Sequence, residues 1–164
     1  MNAQIRKAQP GELDAIMNVY ACAKRFMEEH GNKKQWTGDD AISRERIGAM
    51  LEDGHLYVGE EDGEIRFVFA YILGKDPTYQ VITDGAWLNS EYYGTVHRLA
   101  SAGTAKGVVK AVSDWALEQC PNLRIDTHHD NVVMQNAVTK AGFTRCGIIY
   151  LANGDPRIAY QKVK

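Results

Sequence analysis

Cysteine is scarce in this chain: three residues among 164, at positions 22, 120 and 146. An odd number at such wide spacing makes neither a disulfide framework nor a zinc site, and it suits free thiols in a reducing cytoplasm. No apolar run approaches the length that spans a bilayer. The opening Met1-Asn2-Ala3-Gln4-Ile5-Arg6 lacks the apolar core of a signal peptide. Positive charge is not in excess, since 19 Lys and Arg stand against 21 Asp and Glu for a formal net charge of -2. With no concentrated basic stretch either, a nucleic-acid footprint is excluded. Neither a P-loop nor a GxGxxG fingerprint occurs. Repeats, linkers and low-complexity segments are missing too, so residues 1–164, 45% hydrophobic, read as one domain with chain enough for a sizeable core.

What is there is organised around the stretch from Thr95 to Trp115. Thr95 to Ser101 is β-branched and apolar at alternate positions, as a strand is. Ala102 to Gly107 is small, with two glycines and a lysine, and apolar residues at 108, 109, 112, 115 and 116 then follow helical spacing. Strand, glycine loop and helix aim the amides and dipole of a helix N-terminus at an anion. Read alone, the same stretch also serves as a plain β-to-α turn.

The rest of the chain supplies the frame. A first strand over 5–9 ends at Pro10-Gly11. A helix from Glu12, with Leu13, Ile16, Met17, Tyr20 and Met27 near one face, ends at Gly31-Asn32. Asp39 or Asp40 is expected to cap a second helix running to Gly54. Strands over 55–59 and 65–73 flank the acidic turn 60–63, whose carboxylates read as a solvated tip. Residues 74–94 form the least regular part, and its aromatics imply a packed loop. Beyond the helix ending near Gln119, Leu123 to His128 is a strand, parallel to the central one after a right-handed crossover. A helix from Val132 to Ala141 and an antiparallel pair over 143–151 and 157–163 complete the chain. The order β-α-α-β-β-β-α-β-α-β-β predicts an α/β fold, a mixed sheet covered by helices.

The central strand with its loop and helix, followed by Asp130-Asn131 and then Ala141-Gly142-Phe143, resembles the GNAT family of N-acetyltransferases over essentially the whole length. Asn131 to Gly142 keeps the family's eleven-residue spacing. Two positions depart from its pattern. In Thr104-Ala105-Lys106-Gly107-Val108-Val109 only Gly107 agrees with the family loop, and Val138 stands where a tyrosine acid is frequent.

The resemblance implies a single-domain GNAT fold with helices on both faces. Its sheet would be mostly antiparallel, with a splayed parallel central pair. It also implies acetyl-CoA as co-substrate, a primary amine of a small molecule or peptide as acceptor and compatibility with a homodimer. From the residues themselves, no His or carboxylate spacing matches a metal site, no cysteine sits in the central loop to carry a covalent intermediate, so direct attack is expected, and the free thiols point to a cytoplasmic location. Pyrophosphate is expected at Thr104, Ala105, Lys106, Gly107, Val108 and Val109. Pantetheine would follow Leu99 and Ser101, with Asn131 offering its amide or merely capping its helix. An N–H near Leu99 or Ala100 would polarise the thioester carbonyl.

For the base, His97 is the first candidate, sharing a face with Thr95 and Leu99 by strand alternation; the alternative is a buried histidine fixing the 74–94 loop. His128 is either a substrate-side group or a capping partner. Trp36 and Trp87 are expected to reach the thioester end from their loops, or to fold onto the core. A non-catalytic acyl-CoA sensor of the same fold and a transferase of longer acyl chains are the rival readings.

Overall fold

The computed structural model describes residues 2–103 and 105–164. Seven strands form one mixed sheet: β1 (Gln4–Lys7), β2 (Leu56–Glu61), β3 (Glu64–Leu73), β4 (Gly94–Ser101), β5 (Asn122–Thr127), β6 (Thr144–Tyr150) and β7 (Pro156–Val163). Their order is β1-β2-β3-β4-β5-β7-β6. Every neighbouring pair is antiparallel except β4 and β5, which are parallel as expected. Four α-helices cover the sheet: α1 (Leu13–Glu29), α2 (Arg44–Glu52), α3 (Val108–Gln119) and α4 (Val132–Lys140).

The alternation of β3 shows how the layers are built. Phe67, Phe69 and Tyr71 join the core beneath α3 and α4, with Val112, Ala116 and Val138. Val68 and Ala70 join the opposite core beneath α1 and α2, with Ile16, Tyr20 and Ile47. A strand buried on both faces must be apolar at nearly every position, and β3 is. The α1/α2 pair covers only half of its face. The segment 74–93 covers the other half, where Tyr79 and Tyr93 bury against Ile149 and Ala159.

That segment is docked by polar anchors as well. Gln161, fully buried, accepts the amide of Leu88 at 2.8 Å and donates to Asn89 and Asn122 at 3.1 and 2.7 Å. Arg124 lies between the rings of Trp87 and Tyr93, 4.1 and 4.0 Å from their centroids, and donates to the Asn89 carbonyl. Thr83 bridges to Ile148 on β6.

One expected cap is displaced. Ser43, not Asp39 or Asp40, opens α2 by accepting the Arg46 amide at 3.1 Å. Asp40 instead pairs at 2.8 Å with Arg157, a guanidinium only 3% exposed. That buried cation leaves a carboxylate no better place, because removing one partner of such a pair strands the other charge.

Close backbone approach makes Gly85 indispensable. Its φ is +153°, and a Cβ there would stand 1.9 Å from the Cys146 carbonyl oxygen. Gly85→Ala is expected to destabilise the protein by about 2–3 kcal/mol, or roughly 5–10 °C in Tm. Calorimetry of the purified variant checks this, together with earlier proteolysis within 74–93.

Candidate active site

The site begins where two strands part. β4 and β5 share only the rungs Gly94–Leu123 and Thr95–Arg124, whereas β5 and β7 share six. Beyond Thr95 the main-chain groups of β4 on this side have no ladder partner, and a cleft of about 750 Å³ opens between the strands. Val96, Arg98, Leu99, Ala100 and Ser101 form one wall; Ile125, Asp126 and Thr127 form the other. Unpaired backbone donors and acceptors require a partner, and an extended chain carrying amides is such a partner.

The bend in β4 has a local cause. Arg98 adopts φ 51°, a left-handed conformation costly for a side chain with a Cβ. Pairing with β3 slips at the same place, so β4 carries a bulge opposite Phe69. Tyr20 of α1 holds it, donating its hydroxyl to the Arg98 carbonyl at 2.8 Å. Burial raises the Tyr20 pKa, so that hydroxyl remains a donor.

The bulge also corrects the expected facing of the strand. His97 does not share a face with Leu99: Leu99 packs with Val96 toward α3, while Ala100 faces the α1/α2 core. One extra residue reverses the alternation that a regular strand would keep.

At the mouth, Gly107 with φ 72° is the N-cap of the twelve-residue α3. The unbonded amides of the first helical turn point outward there. A Cβ at Gly107 would meet nothing within 4 Å, so the approach to those amides is open. An unpaired strand edge leading to a bare helix N-terminus therefore fits a molecule with an amide-bearing arm and a phosphate group.

Behind the cleft wall runs a chain of polar groups. His97 Nε2 lies 2.7 Å from Asp76 Oδ2, and His97 Nδ1 lies 4.0 Å from Asp126 Oδ2. The Tyr79 hydroxyl donates to the same Asp126 oxygen at 2.6 Å. Asp126 faces the cleft, and burial raises its pKa against the opposing effects of His97 and the Tyr79 hydrogen bond. Burial would also raise that of Asp76, but the His97 bond and charge and two bonds from Thr78 hold it down, to about 2. The two carboxylates flanking one imidazole thus have opposite tendencies, and such a split is the mark of acid–base sites.

The residues expected from sequence are distributed unevenly. Leu99, Ala100, Ser101, Ala105, Gly107, Val108, Val109 and Asn131 all line the cleft. Asn131 also caps α4, accepting the Met134 amide at 3.0 Å, and donates to Gln35. Lys106 is exposed and off the wall, whereas Lys110 is on it. Thr104 lies outside the described residues.

Trp36 lines the cleft from the α1–α2 connection, packed edge-on against Tyr20. Trp87 lies elsewhere: it stacks on Arg124 and donates its indole N–H to the Tyr79 carbonyl, because the buried cation claims its π-face. His128 is not among the residues that line the cleft: it is buried and accepts the amide of Asp130 at Nδ1, just ahead of the Asn131 cap, with burial and Arg157 lowering its pKa.

Asp126, Asp76, Arg98 and Gln35 escaped sequence reasoning. Asp126 had one available signal, a carboxylate beside the apolar Leu123 and Ile125 in a strand that alternates polar and apolar residues.

Comparison with solved structures places the chain. A GNAT-family acetyltransferase from Streptococcus agalactiae matches with a TM-score of 0.90 at 32% identity, over 100% of this chain and 96% of that one. A GNAT acetyltransferase from Listeria monocytogenes shares the fold at TM-score 0.70 and 18% identity, covering 99% and 95%. So does a phosphinothricin acetyltransferase from Sinorhizobium meliloti, solved with acetyl-CoA, at 0.62 and 14%, covering 99% and 89%. No family model matches the sequence, and no curated protein matches it. Near-complete superposition at that identity, on a mixed sheet with this parting of β4 from β5, makes the chain a member of the GNAT family, an N-acetyltransferase by type. No helix among the described residues is long and apolar enough to cross a membrane.

The Asp76 carboxylate gives a pH-dependent readout of the polar chain. Its pKa is lower in the folded protein than in the unfolded chain, so its contribution is complete above about pH 4 and disappears as pH falls toward 2. Asp76→Asn should therefore cost about 2 kcal/mol at pH 6, with the gap to the parent protein closing as the pH falls toward 2. Denaturant titrations across that range measure the gap.

Proposed function

We propose that the protein transfers the acetyl group of acetyl-CoA to a primary amine by direct attack, the amine belonging to a small molecule or a peptide. The observation that carries this reading is the parted β4–β5 pair, with an unpaired strand edge on one wall and, on the other, the Asp126 carboxylate, backed behind the wall by His97. Bound there, acetyl-CoA supplies an acyl thioester.

The chain's own groups then have separate tasks. Amides of residues 105–109 and the α3 N-terminus receive the phosphates, with Lys110 adding charge. The β4 edge at Leu99 and Ser101 hydrogen-bonds the pantetheine amides, and an N–H at Leu99 or Ala100 stabilises developing negative charge on the carbonyl oxygen. Trp36 closes the acceptor side.

Near neutral pH the acceptor amine is mostly protonated and must lose a proton before it attacks. His97 Nε2–H donates to Asp76, which fixes the tautomer that leaves a lone pair on Nδ1, toward Asp126. The Asp126 carboxylate at the wall draws in the ammonium, and the proton passes to the Asp126–His97 pair. Val138, a fully buried residue of α4, offers no acid for the departing thiolate, which water protonates. Val138 is also what favours the non-catalytic rival; CoA binding without turnover over a panel of amines would support that rival instead.

Two variants test the assignment. His97→Ala should lower turnover by roughly two to four orders of magnitude with little change in CoA affinity, and abolish the acidic limb of kcat/KM. A stable His97→Ala protein with near-normal turnover and an intact limb removes His97 from the reaction. Gly107→Val should weaken CoA about 10- to 100-fold by crowding the helix N-terminus, with the far-ultraviolet circular dichroism retained.

A further inference from the structure

We infer that the acceptor amine also carries a carboxylate, and that Arg98 is the residue that receives it. This rests on the acetyl-transfer reading above and narrows its acceptor. Among the described residues, every other arginine that is not fully exposed has a partner. Arg6 pairs with Glu12 and Glu60, Arg66 with Glu64, and Arg157 with Asp40; Arg124 sits between two aromatic rings and donates to Asn89. Arg98 is half-buried, and among the described residues no nitrogen of its side chain has a partner; the Nε atoms of Arg66 and Arg124 are also enclosed and unbonded, but those side chains are paired through another nitrogen.

A guanidinium so placed presents a planar fork of donors shaped for a carboxylate, and leaving it unpaired in a partly enclosed site is costly. It lines the cleft, and the backbone beneath it is held at φ 51° by the Tyr20 hydroxyl. The protein therefore maintains a strained backbone and an unpaired cation at the acceptor side of its own cleft. Thr127 Oγ1, on the facing strand, is a second enclosed polar atom of the cleft without a partner.

Arg98 lines the cleft with Trp36, and its backbone carbonyl accepts the hydroxyl of Tyr20, whose ring packs edge-on against Trp36. Asp126 lines the same cleft and forms no ion pair with Arg98. An anion-binding fork and a cation-binding carboxylate in one cleft match the two ends of a zwitterion, an ammonium at Asp126 and a carboxylate at Arg98. Exposed Phe26 and Val133 line the same cleft and offer apolar contact to the remainder of such a molecule.

The experiment compares L-amino acids of apolar, polar and charged side chain with their decarboxylated amines, such as L-phenylalanine with 2-phenylethylamine. CoA release is followed with the full-length protein. At least one amino acid should exceed its decarboxylated counterpart in kcat/KM by roughly 10- to 100-fold, carried mainly by KM. Arg98→Gln should collapse that ratio toward one, while Arg98→Lys, keeping the charge without the fork, should retain part of it.

Equal or better use of the decarboxylated series overturns the assignment but leaves acetyl transfer to amines standing. A loss of CoA affinity in Arg98→Gln as large as the loss in acceptor use also overturns it. Should CoA bind and no amine turn over, the acetyl-transfer reading fails. Calorimetric titration of the same probes onto the CoA-saturated protein then judges Arg98 alone. Carboxylate-dependent binding lost in Arg98→Gln supports the inference; failure of every amino acid to bind overturns it.

Discussion

Two rungs of parallel ladder between β4 and β5 are the constraint on which the rest of this structure depends. Parallel strands in a sheet ordinarily stay paired, because each unpaired N–H or C=O away from water costs about 1–3 kcal/mol. Here the pairing stops at Thr95 and Arg124, and the sheet survives because each strand is secured on its other edge. β3 pairs with β4 to Ser101, and β7 pairs with β5 to Thr127. The opening is thus a rigid gap between two well-held half-sheets, and the protein can leave its backbone polar groups ready for a ligand.

The bulge at Arg98 and its prop at Tyr20 add a second layer to the same device. A left-handed residue within a central strand persists only where the surroundings over-determine it. Tyr20 is fully buried by α1 packing, and among the described residues its hydroxyl bonds that carbonyl alone, so the helix layer fixes the strand's shape. The consequence is chemical. The reversal of alternation places Leu99 with Val96 and leaves His97 on the face where the 74–93 segment lies.

That segment, irregular in backbone, is rigid in its contacts. Gln161, Asn122, Asn89 and Arg124 form a hydrogen-bonded polar network beneath it, and Tyr79 and Tyr93 bury against β6 and β7. Its purpose in the fold is visible at its start. Asp76 turns the chain into Pro77, accepts two bonds from Thr78, and still has an oxygen for His97. A loop that looks like a connection is the support that gives His97 one tautomer and one orientation.

By itself the sequence determined the order of elements, the glycine at the start of α3 and the likeness to GNAT acetyltransferases. All of these depend on local periodicity, on residues close in the chain, or on motif spacing. Only tertiary structure decided which groups meet. Asp76, His97 and Asp126 are separated by 21 and 29 positions, and no spacing rule brings a loop carboxylate and the next strand onto one imidazole. Trp36 and Trp87 sit in loops of similar composition. One lines the cleft because Tyr20 offers it an edge, and the other is held away by a cation 37 residues further along. Arg98 looked like any strand arginine until a single left-handed residue turned it out of the ladder. A bulge is a compromise between pairing and packing that the local sequence does not record.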